Sequence, residues 1–162
     1  WSFAMAYQDS SAKVTLADWP AVLEVANGTA EKNNIIDRVT EITGDFHQTK
    51  WPMNYFDVCT LGNVTHILTA EANKKIFKKI FESLNSNGEL LIYDVISDRE
   101  EGSLARSLYK LGLCIRTVSG QVYQPDIMKV WLKEVGFSSF RFESIDIEPY
   151  SVGVLKARKT KK

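Results

Sequence analysis

The sequence predicts an α/β fold with a Rossmann-like, mostly parallel sheet that closes with an antiparallel hairpin. Strand-like and helix-like segments alternate along the first part of the chain, which is typical of a parallel sheet covered by helices. The segments Tyr55–Val64 and Glu89–Val95 are nearly continuous in apolar character, as in strands buried on both faces. The last two strand-like segments, Phe140–Ile147 and Tyr150–Arg158, are close enough in sequence to predict the hairpin.

The N-terminal part predicts two helix–strand pairs. Residues Trp1–Tyr7 have a helical pattern, and the β-branched run Lys13–Asp18 predicts the strand that follows. A second helix is expected from Pro20 to about Lys32, since proline suits the first turn of a helix. The segment Arg38–Asp45 then predicts another strand.

The clearest helical pattern is Thr69–Leu84, where apolar side chains share one face. That face comprises Ile76, Phe77, Ile80, Phe81 and Leu84, and the opposite face carries Lys74, Lys75, Lys78 and Lys79. Thr69 is placed to cap the helix, and the NSNG segment predicts that the helix stops at Gly88. We interpret the lysines as the solvated face of an amphipathic helix rather than as a binding patch.

Two further helical patterns lie between the apolar strands and the hairpin. Residues Asp98–Thr117 predict a long amphipathic helix or a pair of helices, and Pro125–Gly136 predicts a helix that begins at proline and stops at glycine. Because the chain contains neither an internal repeat nor a low-complexity linker, the pattern predicts a single domain.

The composition excludes several classes of function. The 162 residues include 20 basic and 20 acidic residues, so the formal net charge is zero and nucleic acid is not expected as the main partner. The sequence contains neither a run of about 20 apolar residues nor a secretory signal pattern, so we expect no membrane association and a cytoplasmic protein. Cys59 and Cys114 lack the spacing of a disulfide framework or metal site, so no metal is predicted.

A glycine-rich phosphate-binding turn is missing from the sequence. In doubly wound folds such a turn follows the first strand and lets the backbone approach a nucleotide closely. The nine glycines are scattered, and no GxGxxG-like pattern occurs.

Several stretches, in order, nevertheless carry a specific resemblance. They are VTLADWPAVLEVA, RVTEITGDF, FDVCTLGNVTHILTAEANKKIFKKI, NGELLIYDV, WLKEVGF and SVGVLKARK. Together they resemble the C-terminal catalytic part of class I S-adenosylmethionine-dependent O-methyltransferases. The most similar group is that of the two-domain small-molecule enzymes, which includes hydroxyindole, caffeate and bacterial polyketide O-methyltransferases. The resemblance implies S-adenosyl-L-methionine as cofactor and a small, aromatic acceptor with a hydroxyl group.

The resemblance also implies segments upstream of Trp1. In this family the first strand, its glycine-rich loop and a helical dimerisation domain precede the part that matches. We therefore expect residues 1–162 to be a catalytic domain without those segments, inactive or nearly so in isolation, and the full-length protein to be a homodimer. Because the first strand lies between the strands Lys13–Asp18 and Tyr55–Val64 in the family, direct pairing of those two strands would contradict this expectation.

Six residues are predicted to bind the cofactor. Asp18 ends its strand, where carboxylates accept hydrogen bonds from ribose hydroxyls in dinucleotide enzymes; the alternative is a turn or helix-cap aspartate. The resemblance implies that Asp45 receives the adenine amino group and that Phe46 stacks on the ring, whereas the residues alone are typical of a strand-ending turn. The predicted set is Asp18, Trp19, Gly44, Asp45, Phe46 and Asn63.

His66 is the predicted catalytic base. It follows a buried strand at the carboxyl edge where open α/β sheets place their sites, and family members carry a histidine in a similar NVLH pattern. Imidazole groups, with an ordinary pKa of about 6.5, are mostly neutral at pH 7 and can accept a proton from a hydroxyl. The alternative is a helix-start histidine bonded to neighbouring backbone. An acidic partner that some members carry near position 120 is absent, so Asp94 is the predicted carboxylate that orients His66.

The predicted function is therefore methyl transfer to a hydroxyl of a small acceptor held near Leu104–Ile115 and Tyr123. Two main alternatives remain at the level of sequence, beside the non-methylating chemistry of some relatives of the family, such as cofactor-assisted rearrangement. One is a catalytically silent, methyltransferase-like binding domain, which the missing glycine loop favours and the retained Asp18, Asp45 and His66 disfavour. The other is a nicotinamide-dependent dehydrogenase, which does not explain the GDF and NVTH motifs together with the hairpin.

Overall fold

The computed structural model describes residues 2–95, 104–147 and 150–160 of the chain. These residues form two compact units, Trp1–Trp51 and Pro52–Lys162, and the sequence shows no domain boundary between them. None of the described helices is both long and apolar enough to cross a membrane.

The first unit contains two helices and a two-stranded parallel sheet. Its elements are α1 (Ser2–Gln8), β1 (Val14–Asp18), α2 (Pro20–Lys32) and β2 (Val39–Thr43), with a short 3-10 turn at Ile36–Arg38. β1 and β2 run parallel from the pair Val14–Val39 to the pair Asp18–Thr43. The core consists of Ala6, Val14, Ala30 and Ile35, with Phe3, Leu16, Ile36 and Val39 packed against it.

Arg38 organises the connection between α1 and β1. Its guanidinium group donates hydrogen bonds of 3.0–3.2 Å to four backbone carbonyl oxygens. The acceptors are the carbonyl groups of Ala6, Asp9, Ser10 and Ala12. A planar group with five donors satisfies these carbonyl groups together, so one side chain fixes the loop that leads into β1.

The described residues of the second unit form a four-stranded sheet and three helices. Its elements are β3 (Phe56–Gly62), a 3-10 turn (Thr65–Ile67), α3 (Ala70–Ser83), β4 (Leu84–Asp94), α4 (Leu104–Arg116), α5 (Pro125–Val135), β5 (Ser138–Ile147) and β6 (Tyr150–Arg158). The strand order is β3-β4-β6-β5. β3 and β4 are parallel, whereas β6 runs antiparallel to both of its neighbours.

This topology confirms the predicted fold class. Parallel pairs and a closing antiparallel hairpin are both present, and α2 has the predicted bounds Pro20–Lys32. β1 pairs with β2 and β3 pairs with β4, so among the described strands β1 and β3 do not pair directly. The expectation of a missing intervening strand remains a prediction. Residues 98–103 of the predicted helix Asp98–Thr117 lie outside the described residues.

The amphipathic helix α3 packs as its pattern predicts. Ile76, Phe77 and Ile80 are fully buried. Thr69 caps the helix, because its hydroxyl oxygen accepts a hydrogen bond of 3.2 Å from the N–H of Ala72. The lysine face is solvated and partly ion-paired, with Lys74 Nζ 2.8 Å from a carboxylate oxygen of Glu134.

The predicted role of the NSNG segment as a helix stop at Gly88 is wrong. α3 ends at Ser83, and β4 already begins at Leu84, which is aligned with Phe56. A segment distant in sequence holds NSNG in the sheet. The Asn87 N–H donates to the Lys159 carbonyl oxygen at 2.7 Å, and the Lys159 N–H donates to the Gly88 carbonyl oxygen at 2.9 Å.

Candidate active site

The turn that carries His66 begins where β3 ends. Asn63 adopts a φ of 57°, and its N–H donates to the carbonyl oxygen of Tyr93 on β4 at 2.8 Å. Asparagine tolerates this left-handed conformation better than most residues, so the chain reverses directly into the 3-10 turn Thr65–Ile67. Since β3 and β4 are adjacent and parallel, their carboxyl ends bring the turn next to Asp94, the last residue of β4.

His66 and Asp94 form a direct hydrogen-bonded pair. His66 Nδ1 lies 2.6 Å from Asp94 Oδ1. The carboxyl group is almost fully buried at 1% exposure, and the imidazole is 13% exposed. An ionised carboxylate only accepts hydrogen bonds, so this contact selects the imidazole tautomer with the proton on Nδ1. Within the described part of the chain no hydrogen bond involves Nε2 of His66.

Asp94 is held as an ion by several donors. Burial alone would raise the pKa of Asp94, but hydrogen bonds from His66, Thr65 and the Val95 N–H, together with the charge of the imidazole, hold the pKa below its ordinary value. Oδ1 accepts from the Val95 N–H at 2.7 Å, and Oδ2 accepts from the Thr65 hydroxyl at 2.5 Å and from the His66 N–H at 3.3 Å. The net effect favours a buried, charged carboxylate beside the imidazole.

The carbonyl groups of the turn are also occupied. The Gln121 N–H donates to the His66 carbonyl oxygen at 2.8 Å, and the Tyr123 hydroxyl donates to the Leu68 carbonyl oxygen at 2.8 Å. The fully buried Asn73 amide donates to the carbonyl oxygens of Thr65, Leu68 and Thr69 at 3.0–3.3 Å. The turn is therefore held by α3 and by the segment after α4.

Two tyrosines that follow β4 have different environments. Tyr109 on α4 faces the His66 ring edge-on, with 5.9 Å between ring centroids. Tyr123, expected near the acceptor, is only 6% exposed and packs on Trp131 with its hydroxyl on Leu68. In the described contacts, Tyr123 stabilises the turn that carries His66, whereas Tyr109 contacts the His66 ring.

Three of the predicted cofactor residues meet at the carboxyl ends of β1 and β2. The Gly44 N–H donates to the Asp18 carbonyl oxygen at 2.9 Å, and Asp18 Oδ1 accepts from the Trp19 N–H at 2.8 Å. Among the described residues no hydrogen bond reaches Asp18 Oδ2, and the Trp19 side chain is 54% exposed. Gly44 has a φ of +120°, a conformation that L side chains rarely adopt. A carboxylate oxygen and an exposed aromatic ring beside a glycine fit a ribose and its base.

Asp45 and Phe46 form a turn after β2. Asp45 Oδ1 accepts from the His47 N–H at 2.8 Å, and Oδ2 accepts from the Gln48 side-chain amide at 2.9 Å. Each carboxylate oxygen can accept a second hydrogen bond, so these contacts leave capacity for a ligand. The Phe46 ring lies 4.5 Å from the His47 ring. Asp18, Trp19, Gly44, Asp45 and Phe46 thus belong to the first unit, and Asn63, His66 and Asp94 to the second; their roles remain predictions.

The sequence reasoning missed two side chains of the second unit's site. Thr65 lies in the NVTH motif, but the motif does not indicate that its hydroxyl binds Asp94. Asn73 carried a usable signal: it falls at helical spacing before Ile76, Phe77 and Ile80, on the apolar face of α3. A polar side chain in such a stripe is buried and needs partners.

The chain is similar to known methyltransferases in sequence and fold. It is 27% identical over 110 residues to the tetracenomycin polyketide synthesis 8-O-methyl transferase of Streptomyces glaucescens, covering 67% of this chain and 32% of that protein. It is 23% identical over 161 residues to an L-tyrosine C(3)-methyltransferase of Streptomyces lavendulae, covering 98% of this chain and 44% of that protein. The chain therefore spans less than half the length of either curated relative.

Solved structures agree with this fold. An O-methyltransferase family 2 protein of Planctomyces limnophilus, solved with apigenin, superposes with a TM-score of 0.81 at 25% identity, covering 97% of this chain and 45% of that one. Other solved methyltransferases of the same fold contain S-adenosylmethionine or S-adenosylhomocysteine. The family model of the O-methyltransferase domain matches residues 4–138. Since this match covers well over half of the 162 residues, the chain belongs to the O-methyltransferase domain family.

Proposed function

We propose that the protein transfers the methyl group of S-adenosylmethionine to a hydroxyl of a small aromatic acceptor, with His66 as general base and Asp94 as its orienting carboxylate. The observation that carries this proposal is the 2.6 Å contact between His66 Nδ1 and the buried Asp94 Oδ1. The family supports the coarser part of the proposal, which is methyl transfer from S-adenosylmethionine to a small substrate.

The tautomer of His66 decides which ring nitrogen accepts the proton of the acceptor hydroxyl. With the Nδ1 proton donated to Asp94, the lone pair on Nε2 is the one that accepts the hydroxyl proton. The resulting imidazolium is stabilised by the charge of Asp94, which is already ionised in the folded protein. Tyr109, whose ring faces the imidazole, is the described aromatic side chain that we assign to the acceptor side.

The cofactor would be held mainly by the first unit. When bound, S-adenosylmethionine would supply the methyl group of its sulfonium, whose S–CH3 bond would break as the O–CH3 bond forms, leaving S-adenosylhomocysteine. Asp18 would accept hydrogen bonds from ribose hydroxyls, while Gly44, Asp45 and Phe46 would contact the adenine. From the second unit, Asn63 remains the proposed cofactor contact.

Phenols are the acceptor class that the relatives favour. One acts in polyketide synthesis, one methylates tyrosine, and one was solved with apigenin, a compound with phenolic hydroxyl groups. A phenol has a pKa of about 10, well below that of an alcohol, so an imidazole base is adequate. The tyrosine C(3)-methyltransferase favours a second candidate, transfer to the ring carbon beside the hydroxyl, which removal of the same proton would activate.

Residues 1–162 are proposed to be part of a larger catalytic domain in a homodimeric protein with no role in nucleic-acid or membrane binding. β1 and β3 belong to separate sheets, and the chain spans less than half of its curated relatives. Intact mass and calorimetric titration with S-adenosylhomocysteine test this on the protein as it occurs. Tight binding by a chain of 18.4 kDa would contradict it.

The test of the function is a methylation assay with a panel of phenols, using the full-length protein and its His66→Asn, Asp94→Asn and His47→Asn variants. At saturating donor we expect His66→Asn to lower kcat by about 10²–10⁴-fold, with S-adenosylhomocysteine binding unchanged. His47→Asn is the matched control: its ring contacts Phe46, so the affinity for the donor can change, but kcat at saturating donor should stay at the wild-type value. Wild-type kcat in His66→Asn would overturn the proposal, and mass and NMR analysis of the product separates oxygen from carbon methylation.

A further inference from the structure

Thr65 has no role in the function proposed above, yet its hydroxyl is bonded to the Asp94 carboxylate that holds His66. The side chain is 1% exposed, and Oγ1 lies 2.5 Å from Asp94 Oδ2. Since an ionised carboxylate has no hydrogen to give, the threonine hydroxyl must be the donor. Thr65 therefore contacts the carboxylate oxygen that does not face the imidazole ring.

The two carboxylate oxygens are held in different ways. Oδ1 receives the Val95 N–H and faces His66 Nδ1, at 2.7 and 2.6 Å. Oδ2 receives the Thr65 hydroxyl and, at 3.3 Å, the long His66 N–H bond. Removing the hydroxyl would leave Oδ2 with only that long bond, in a site where water has little access. The carboxylate could then rotate about its Cβ–Cγ bond to seek other donors.

Thr65 is itself fixed on the backbone side. Its carbonyl oxygen accepts from the buried Asn73 amide at 3.0 Å, which anchors the turn to α3. The residue next to the base is thus held at both its carbonyl group and its hydroxyl group.

We propose that Thr65 is a positioning residue, whose hydroxyl fixes the Asp94 carboxylate so that Oδ1 holds the His66 ring with its proton on Nδ1. This inference deepens the proposed function and rests on it for its catalytic consequence. The arrangement of the three side chains is itself independent of any methyl donor or acceptor.

The test uses three variants of the full-length protein. Thr65→Val keeps the side-chain shape and removes the hydroxyl, whereas Thr65→Ser keeps the hydroxyl. Thr29→Val is the control for the same chemical change, because Thr29 is exposed on α2 and its hydroxyl donates only to the Val25 carbonyl of its own helix.

The first readout is the ¹⁵N NMR spectrum of the two histidines without substrate, which reports the nitrogen that carries the proton. His66 should show the Nδ1–H tautomer in the wild type and Thr65→Ser, and a mixture of tautomers in Thr65→Val, while His47 serves as internal reference. In the methylation assay Thr65→Val should lower kcat at least tenfold with the acceptor KM within twofold, and Thr65→Ser should restore most of the loss.

The outcomes separate the two proposals. A wild-type tautomer pattern in Thr65→Val would overturn the positioning role, whatever the activity. A changed pattern in Thr65→Val, together with wild-type activity in His66→Asn, would support the positioning role and overturn the base. If Thr65→Val does not fold, Thr65→Ser and Thr65→Cys replace it; equal tautomer patterns in this pair, which differ in donor strength, would overturn the role.

Discussion

The backbone N–H of Gln121 donates to the carbonyl oxygen of His66 at 2.8 Å. This bond joins the turn after β3 to the segment between α4 and α5. His66 is therefore positioned by its contact with Asp94 and also by the backbone at Gln121. Gly120, the residue before Gln121, has no side chain, so this backbone can approach the His66 carbonyl group closely.

Replacing Gly120 by alanine should displace this segment. An added Cβ would lie 2.2 Å from Thr117 Oγ1 and 3.1 Å from the His66 carbonyl oxygen. We expect Gly120→Ala to lower the free energy of unfolding by about 1–3 kcal/mol, measured by urea denaturation. Gly28 on α2 is the matched control: nothing lies within 4 Å of its added Cβ, so Gly28→Ala should raise stability by about 0.5–1 kcal/mol. Equal effects of the two substitutions would contradict this account.

The buried amide of Asn73 should be needed for the stability of the histidine turn. Asn73→Leu removes the 3.0 Å donor to the Thr65 carbonyl oxygen and leaves it only the 3.4 Å bond from the Leu68 N–H, while the Leu68 carbonyl oxygen keeps the Tyr123 hydroxyl. We expect a cost of about 1–3 kcal/mol. Asn73→Asp places a carboxylate against carbonyl oxygens and should be more destabilising at pH 7 than at pH 4, where it is partly protonated. Urea denaturation at both pH values tests this. Greater stability of the aspartate variant at pH 7 would refute it.

The ionised Asp94 should make stability depend on acid pH. Because the pKa of Asp94 is lowered in the folded protein, its contribution is fully present above the unfolded pKa of about 3.9. The contribution is lost as the pH falls below that value and through the lower folded pKa. Asp94→Asn should therefore be less stable than the wild type by about 1–3 kcal/mol at pH 6, and the difference should shrink toward pH 3. A difference independent of pH would show that Asp94 does not titrate as the structure requires.

Lys159 should stabilise the C-terminal end of α3. Its Nζ donates to the Phe81 and Leu84 carbonyl oxygens at 2.7 and 2.6 Å and lies 4.9 Å from the Phe81 ring centroid. Lys159→Met keeps the apolar stem and should cost about 1–2 kcal/mol, because carbonyl groups at a helix end favour a cation. Lys78→Met is the control, since that side chain is 72% exposed and its 4.0 Å ion pair contributes little. Amide hydrogen exchange in the last turn of α3 should become faster in Lys159→Met and stay unchanged in Lys78→Met, which would show that the lost stability lies at this helix end.

Local patterns accounted for much of the fold. α2 begins at Pro20 and α5 begins at Pro125, because proline suits the first turn of a helix and needs no partner for an N–H there. α5 ends at Val135, and the next residue, Gly136, has a φ of +120°, a conformation that other residues avoid. The hairpin of β5 and β6 followed from two short alternating runs close in sequence. These signals act over a few residues, so they can be identified without the rest of the molecule.

Long-range contacts decided the features that the sequence did not indicate. The NSNG segment joins the sheet instead of ending a helix because Lys159, far along the chain, pairs with Asn87 and Gly88. The family motif suggested His66, and Asp94 was predicted as the remaining carboxylate candidate, at the end of its strand. Their 2.6 Å contact and the hydroxyl of Thr65 on the second carboxylate oxygen depend on β3 and β4 lying side by side. Hydrogen bonds form over about 3 Å and only at favourable angles, so they depend on the folded arrangement. Apolar periodicity depends only on the order of the residues, so it can be identified in the sequence.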